Sequence, residues 1–279
     1  MQKSMWAGAA LMLVMTAGAI TATPVGAQTA SQNGENTLKE IERYRQALAD
    51  GNPAELWEAR GEDLWKQKRG PNKASFEGCD IGLGAGVVKG AYTVLPKYFA
   101  DSDRVEDLES RLVTCMVMLQ GFTYAQATKG PFGGPDNKSD IEALVAYVTG
   151  ASRGMKMNVT LTHPAEKEAY EIGKKIFFYR GGPHDFGCVT CHSADKQRIR
   201  LQELPNLLKQ SDARQAYTSW PAYRVSQGEL RSFQWRLFDC FRQQRFPELE
   251  FTSAASVALT AYLAKNANGG VLSAPSIKR

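Results

Sequence analysis

The chain has 279 residues, with 34 Lys and Arg against 29 Asp and Glu and a formal net charge of +5. That mild excess is far from the dense basic footprint of a nucleic-acid binder, so no nucleic-acid partner is expected. The length leaves room for two domains of ordinary size, and no apolar stretch is long enough to span a bilayer.

The first residues, MQKSMWAGAALMLVMTAGAITATPVGAQ, read as an export signal over residues 1–27. Lys3 supplies the positive start, Ala7 to Ile20 a short apolar run, and Val25-Gly26-Ala27 the small residues a signal peptidase needs. Cleavage near Ala27 predicts a periplasmic protein. Export would place the five cysteines in an oxidising compartment. Five is odd, so at least one stands outside any intrachain pairing.

Further along, His163-Pro164-Ala165-Glu166 looks like a helix start, with proline in the first turn and a carboxylate near the positive end of the dipole. A helical pattern runs through Tyr170, Ile172, Ile176 and Phe177, and Gly181-Gly182-Pro183 breaks it. His163 reads as a cap-region residue. His184 reads as a loop residue or as a hydrogen-bond partner of a bound group, and neither histidine is expected as a ligand.

Cys188-Val189-Thr190-Cys191-His192 is a C-x-x-C-H motif, the attachment signature of c-type haem. Two thiols three positions apart on a turn of helix can each add to a vinyl group of one porphyrin. The histidine directly after them meets the iron from the same side. A redox dithiol would want a βαβ context, and a zinc site a second Cys/His pair; the only other histidines are His163 and His184. One motif predicts one covalently bound haem c.

The second axial ligand normally follows the motif, yet no methionine or histidine occurs after His192. Met116, Met118, Met155 and Met157 all lie upstream. Cys240 is the one soft ligand downstream; lysine, water, or a cysteine that is only a small buried hydrophobe remain open. The segment GELRSFQWRLFDCFRQQ reads as helix, which puts Arg236 and Cys240 one turn apart on one face. A guanidinium there lowers a thiol pKa and offers a forked donor to an oxyanion. Asp239 lies about 100° round that helix, with no assigned role. The arginine excess at Arg231, Arg236, Arg242 and Arg245 fits a solvated face or a docking surface as well as an anion site.

The two halves repeat. Pro96 precedes Cys115, and Pro221 precedes Cys240, by the same distance; each cysteine ends an Arg-Leu-x-x-Cys segment, at Arg111-Leu112 and Arg236-Leu237. Cys79 aligns with Cys188, and Ala143-Leu144-Val145-Ala146-Tyr147 with Ala258-Leu259-Thr260-Ala261-Tyr262. The pattern predicts a mostly α protein of two tandem cytochrome c-like domains, a haemless one at 38–155 and a haem-binding one at 156–270. In the first half Gly82 and Leu83 stand where Cys191 and His192 stand in the second. Cys79 and Cys115, which would flank a porphyrin, are then expected to close up into a disulfide, the rival being two free buried thiols.

The C-x-x-C-H motif, the distal Cys240, Arg236 one turn before it and the tandem halves resemble the family of SoxA subunits of thiosulfate-oxidising cytochromes, specifically its one-haem members. The resemblance covers nearly the whole mature chain, and departs from two-haem members at Gly82 and Leu83. It implies an L-cysteine S-thiosulfotransferase that joins thiosulfate oxidatively to a cysteine of a SoxY-like sulfur-carrier protein. It also implies electron transfer through haem to a small SoxX-like partner cytochrome and then to a soluble cytochrome c. By the same resemblance Cys240, which in the family can carry an extra sulfur as a persulfide, is the catalytic residue and Arg236 binds substrate. The alternative is a periplasmic electron-transfer cytochrome in which Cys240 only tunes the iron.

Overall fold

A computed structural model describes residues 51–134, 136–199 and 202–278, together with Lys39 and Arg43. The export signal expected at 1–27 lies outside these residues. Helices α1 (Ala54–Lys66), α2 (Leu108–Met118), α3 (Tyr124–Ala127), α4 (Asp140–Gly150), α5 (Pro164–Phe178), α6 (Cys188–His192), α7 (Gln210–Thr218), α8 (Phe233–Gln243) and α9 (Ala254–Asn266) dominate. The strands are short: β1 (Lys97–Phe99), β2 (Arg104–Glu106), β3 (Arg198–Ile199), β4 (Gln202–Glu203), β5 (Ala222–Arg224), β6 (Glu229–Arg231) and β7 (Ser276–Lys278).

The same helix crossing recurs twice. α1 packs on α4, and α5 packs on α9. A Cβ on Gly61 would fall on the carbonyl of Ala143, and one on Gly173 on the carbonyl of Ala258. Only glycine lets two backbones approach so closely. Four residues after each of those alanines a tyrosine packs beside the crossing. Tyr147 lies 6.1 Å from Trp65, and Tyr262 lies 5.4 Å from Tyr170 and 5.3 Å from Phe177.

The crossing also corrects the helical pattern read at 170–177. Gly173 and Phe177 are buried, but Ile172 is 41% exposed. Contact through Gly173 fixes the rotation of α5 and turns position 172 outward. His163 caps α5: its Nδ1 accepts from the Ala165 amide at 3.2 Å, and Glu166 Oε2 accepts from the His163 amide at 3.0 Å.

Each half then forms an antiparallel hairpin leading into a capped helix. Asp107 accepts from the Ser110 amide at 2.9 Å, and Ser232 from the Trp235 amide at 3.2 Å. Lys97 pairs with Glu106 in the first hairpin and Ala222 with Arg231 in the second, the same register in both. The segment GELRSFQWRLFDCFRQQ is therefore helical only from Phe233. Glu229–Arg231 pairs with β5, and Ser232 ends the strand and caps the helix. β7, from the chain beyond 270, adds in parallel to β5.

The described residues from 51 onward form one unit, and its halves interlock through buried polar groups. The Tyr98 amide donates to Glu166 at 3.0 Å. Arg231 donates to the Gly133 carbonyl at 2.6 Å and lies 3.5 Å from Glu142. Gln234 donates its side-chain amide to Asp107 at 2.7 Å and its backbone amide to Glu109 at 3.1 Å. Buried polar atoms need such partners, because an unpaired one costs about 1–3 kcal/mol.

In the first half the sulfurs of Cys79 and Cys115 are bonded, with the Cα atoms 5.9 Å apart. After Cys79 the chain loops around Asp80, whose Oδ1 accepts the amides of Gly82 at 2.7 Å and Gly84 at 2.9 Å. Gly82 sits at φ +111°, in the left-handed region. The second half has helix α6 at the corresponding place.

Candidate active site

Helix α6 follows Gly187, where a Cβ would strike the Tyr179 carbonyl. The Gly187 amide donates to Thr190 Oγ1 at 3.0 Å, which closes the start of the turn. This short helix carries Cys188, Cys191 and His192. His192 Nδ1 lies 2.9 Å from the Pro205 carbonyl oxygen, and a carbonyl can only accept. Nδ1 is therefore the protonated nitrogen, and the Nε2 lone pair is free for a metal.

Helix α8 brings Arg236 and Cys240 to the same place. Cys188, Cys191 and Cys240 are all free and half-buried. Burial pushes the Cys188 thiol up to about 12, with the Cys240 sulfur adding to the effect. Burial also raises the Cys240 thiol, while the Arg236 and Arg224 guanidiniums pull it back. His192 is held below the usual imidazole range, first by burial, with the hydrogen bond to Pro205 opposing and the charge of Arg236 assisting. The five residues singled out in the second half thus meet in one cluster.

Two further residues complete it. Asp239 is buried and accepts from Arg242 at 2.8 Å, from Gln243 at 2.6 Å and from Arg236 at 3.4 Å. It anchors the base of the arginine cluster. Arg224, at the end of β5, escaped the sequence reading although the repeat sets it opposite Phe99. Arg231 does not belong to the cluster, being committed to Gly133 and Glu142. Arg242 and Arg245 are exposed. His184 is exposed beside Phe186, and the His163 ring stacks on Tyr98 at 3.7 Å, so neither joins the site. A cavity of about 290 Å³ lies elsewhere, lined by Arg104, Tyr124, Ile172 and Thr252 among others.

The chain is 50% identical over 262 residues to the L-cysteine S-thiosulfotransferase subunit SoxA of Hydrogenophilus thermoluteolus, spanning 94% of this chain and 96% of that one. This chain belongs to the SoxA family. The SoxA of Hydrogenobacter thermophilus is 32% identical over 249 residues, covering 88% of this chain and 90% of its own. Residues 60–157 match the family model described as SoxA/TsdA, cytochrome c domain. The fold is that of the crystal structure of SoxXA from P. pantotrophus, with a TM-score of 0.68 at 23% identity over 85% of this chain and 84% of that one. A cytochrome c domain implies haem c; the matched residues stop short of α6, but the residues of α6 themselves fit a haem. Two free thiols stand three positions apart, and the adjacent imidazole has its tautomer set by Pro205. No helix among the described residues is long and apolar enough to cross a membrane.

Proposed function

We propose that this chain is the haem-bearing, catalytic subunit of an exported, periplasmic thiosulfate-oxidising cytochrome, with Cys240 as the catalytic residue and Arg236 as a substrate-binding residue. As a member of the SoxA family it is a cytochrome subunit of an L-cysteine S-thiosulfotransferase. The reaction joins the sulfane sulfur of thiosulfate to the thiol of a SoxY-like carrier cysteine. One S–H bond breaks and one S–S bond forms; a proton is released, and two electrons leave in one-electron steps. A haem held by Cys188 and Cys191 supplies the one-electron acceptor. A small SoxX-like cytochrome and then a soluble cytochrome c would take up the electrons.

His192 would hold the haem iron through Nε2, with its Nδ1–H held by the Pro205 carbonyl. Cys240 would be the second iron ligand and the reactive sulfur. The observation that carries this reading is Arg236, one turn before Cys240, with a single long 3.4 Å contact to Asp239 as its only ion pair among the described residues. A guanidinium left this free beside a sulfur suits a sulfur oxyanion. The first half, 38–155, would hold no haem. Gly82 and Leu83 take the places of a haem thiol and the proximal ligand there, and Cys79–Cys115 serves as a structural bridge. A pyridine haemochrome assay should therefore give one haem per chain; two would overturn the haemless first half.

Cys240→Met separates ligation from catalysis, because a thioether ligates iron but forms no sulfur adduct. We expect a folded, haem-loaded protein with a raised reduction potential and no thiosulfate conjugation. Normal turnover in that variant would leave Cys240 a ligand only and favour the electron-carrier reading.

A further inference from the structure

The two hairpins share one register, so a displacement of 125 positions carries Phe99 to Arg224, Asp101 to Ser226, Glu106 to Arg231, Arg111 to Arg236 and Cys115 to Cys240. In the first half Arg111 is fully occupied by its own chain. It donates to Asp101 at 2.8 and 2.7 Å, to Glu106 at 3.3 Å and to the Asp80 carbonyl at 2.6 Å. Its guanidinium also lies over the Phe99 ring at 4.0 Å. In the second half every one of those side-chain partners is gone. Serine replaces one acid, the second acid has become an arginine bonded elsewhere, and the covering ring has become another guanidinium.

That guanidinium is itself unpaired. Arg224 Nε is buried and has no hydrogen-bond partner, and no ion pair engages the side chain among the described residues. It is half-buried, with burial first and the charge of Arg236 second pushing its pKa down, and Asp239 and Cys240 only partly opposing them. A buried, unbonded Nε–H on a cation beside a second cation, with one carboxylate shared between the two, is a donor that a bound anion would stabilise.

Building on the thiosulfate reading of the Cys240 site, we infer that Arg224 is a second substrate-binding residue. Arg224 and Arg236 together grip the sulfonate end of thiosulfate and leave its sulfane sulfur toward the reactive cysteine. Two guanidiniums match a dianion in charge, and each offers parallel N–H donors to sulfonate oxygens.

The test uses the purified holo-complex with its carrier protein, with thiosulfate varied at fixed carrier concentration. Arg224→Gln should raise the thiosulfate KM by about 10- to 100-fold, the loss expected for a charge-assisted hydrogen bond. It should raise the inhibition constant of sulfite in parallel and leave the haem spectrum and potential unchanged. Arg224→Lys should recover part of the loss. Ser226→Asp, at an exposed position, restores the acid that occupies the first half and should also raise the KM. An unchanged KM in Arg224→Gln and in Ser226→Asp, with wild-type turnover intact, would overturn the assignment of Arg224 alone. A shifted haem potential with an unchanged KM would overturn it too, making Arg224 a haem-propionate partner. A wild-type complex without thiosulfate turnover would bring down the site reading and this inference with it.

Discussion

Arg111 and Arg236 occupy equivalent places, each four residues before a cysteine on a capped helix, yet their surroundings differ. The Arg111 side chain is 3% exposed and paired with two carboxylates beside a disulfide-bonded Cys115. The Arg236 side chain is 27% exposed, holds one long contact to Asp239 and stands beside a free Cys240. The backbone arrangement is common to both halves; a handful of side chains decides whether it is sealed or left open to a ligand. Where Asp101 and Glu106 neutralise the guanidinium, the arginine is a structural rivet. Where Ser226 and Arg231 replace them, the guanidinium of Arg236 keeps only the long contact to Asp239 among the described residues.

The sharpest way to break that comparison is to remove each cysteine in turn. Cys240→Ala should reduce thiosulfate-conjugating turnover by roughly 1,000-fold or more, as loss of a reacting group does. Cys115→Ala should leave turnover of the folded protein near wild type. Parallel losses in the two variants would show that the halves are not divided into structural and catalytic parts. The arginines should separate in the same way. Arg236→Ala is expected to lower kcat/KM by about 10- to 100-fold with haem attachment intact. Arg111→Ala should instead cost stability, at the lower end of the about 3–5 kcal/mol for a broken buried pair, because Arg104 still pairs with Glu106 at 3.1 Å. Denaturant titration and steady-state kinetics on both variants would test the crossing of effects.

A smaller effect follows from the disulfide. Replacing Cys79 and Cys115 together should lower stability by about 2–5 kcal/mol while the haem spectrum stays unchanged. A change in that spectrum would mean that the halves communicate through this bridge.

The smallest effect concerns the acids where the two halves meet. Burial, and then the charge of Asp107, push Glu109 up to about 8. A carboxyl whose folded pKa is raised contributes stability that is full below its unfolded value of 4.5 and is lost as pH rises through about 8. Glu109→Gln keeps an oxygen for the Gln234 amide and removes the titration. Thermal melts of this variant should be flatter between pH 4.5 and 8 than those of the wild type, and an identical slope would assign the dependence to other groups.

Much of the site was legible because its chemistry is local. C-x-x-C-H fixes three groups within five residues, and the 3.6-residue period puts Arg236 beneath Cys240 whatever surrounds the helix. The repeat even contained Arg224, opposite Phe99, but an alignment states equivalence and not environment. That the Nε of this arginine is buried without a hydrogen-bond partner depends on where β5 meets α8. Pro205 was silent for a similar reason: its contribution is a backbone carbonyl, which any residue type supplies, and only the fold brings it within 2.9 Å of His192.

The sequence by itself determined the C-x-x-C-H spacing, the placement of Arg236 and Cys240 along one helix face, the mostly helical class and the order of the repeat. These depend on covalent reactivity and on short-range periodicity, and both are properties of consecutive residues. The tertiary structure alone decided that Glu229–Arg231 is a strand, that Ile172 faces outward, that Asp239 anchors the arginines and that the two halves share buried carboxylates. Each of those is a competition among distant groups for the same space and the same hydrogen bonds, settled by packing rather than by neighbours in sequence.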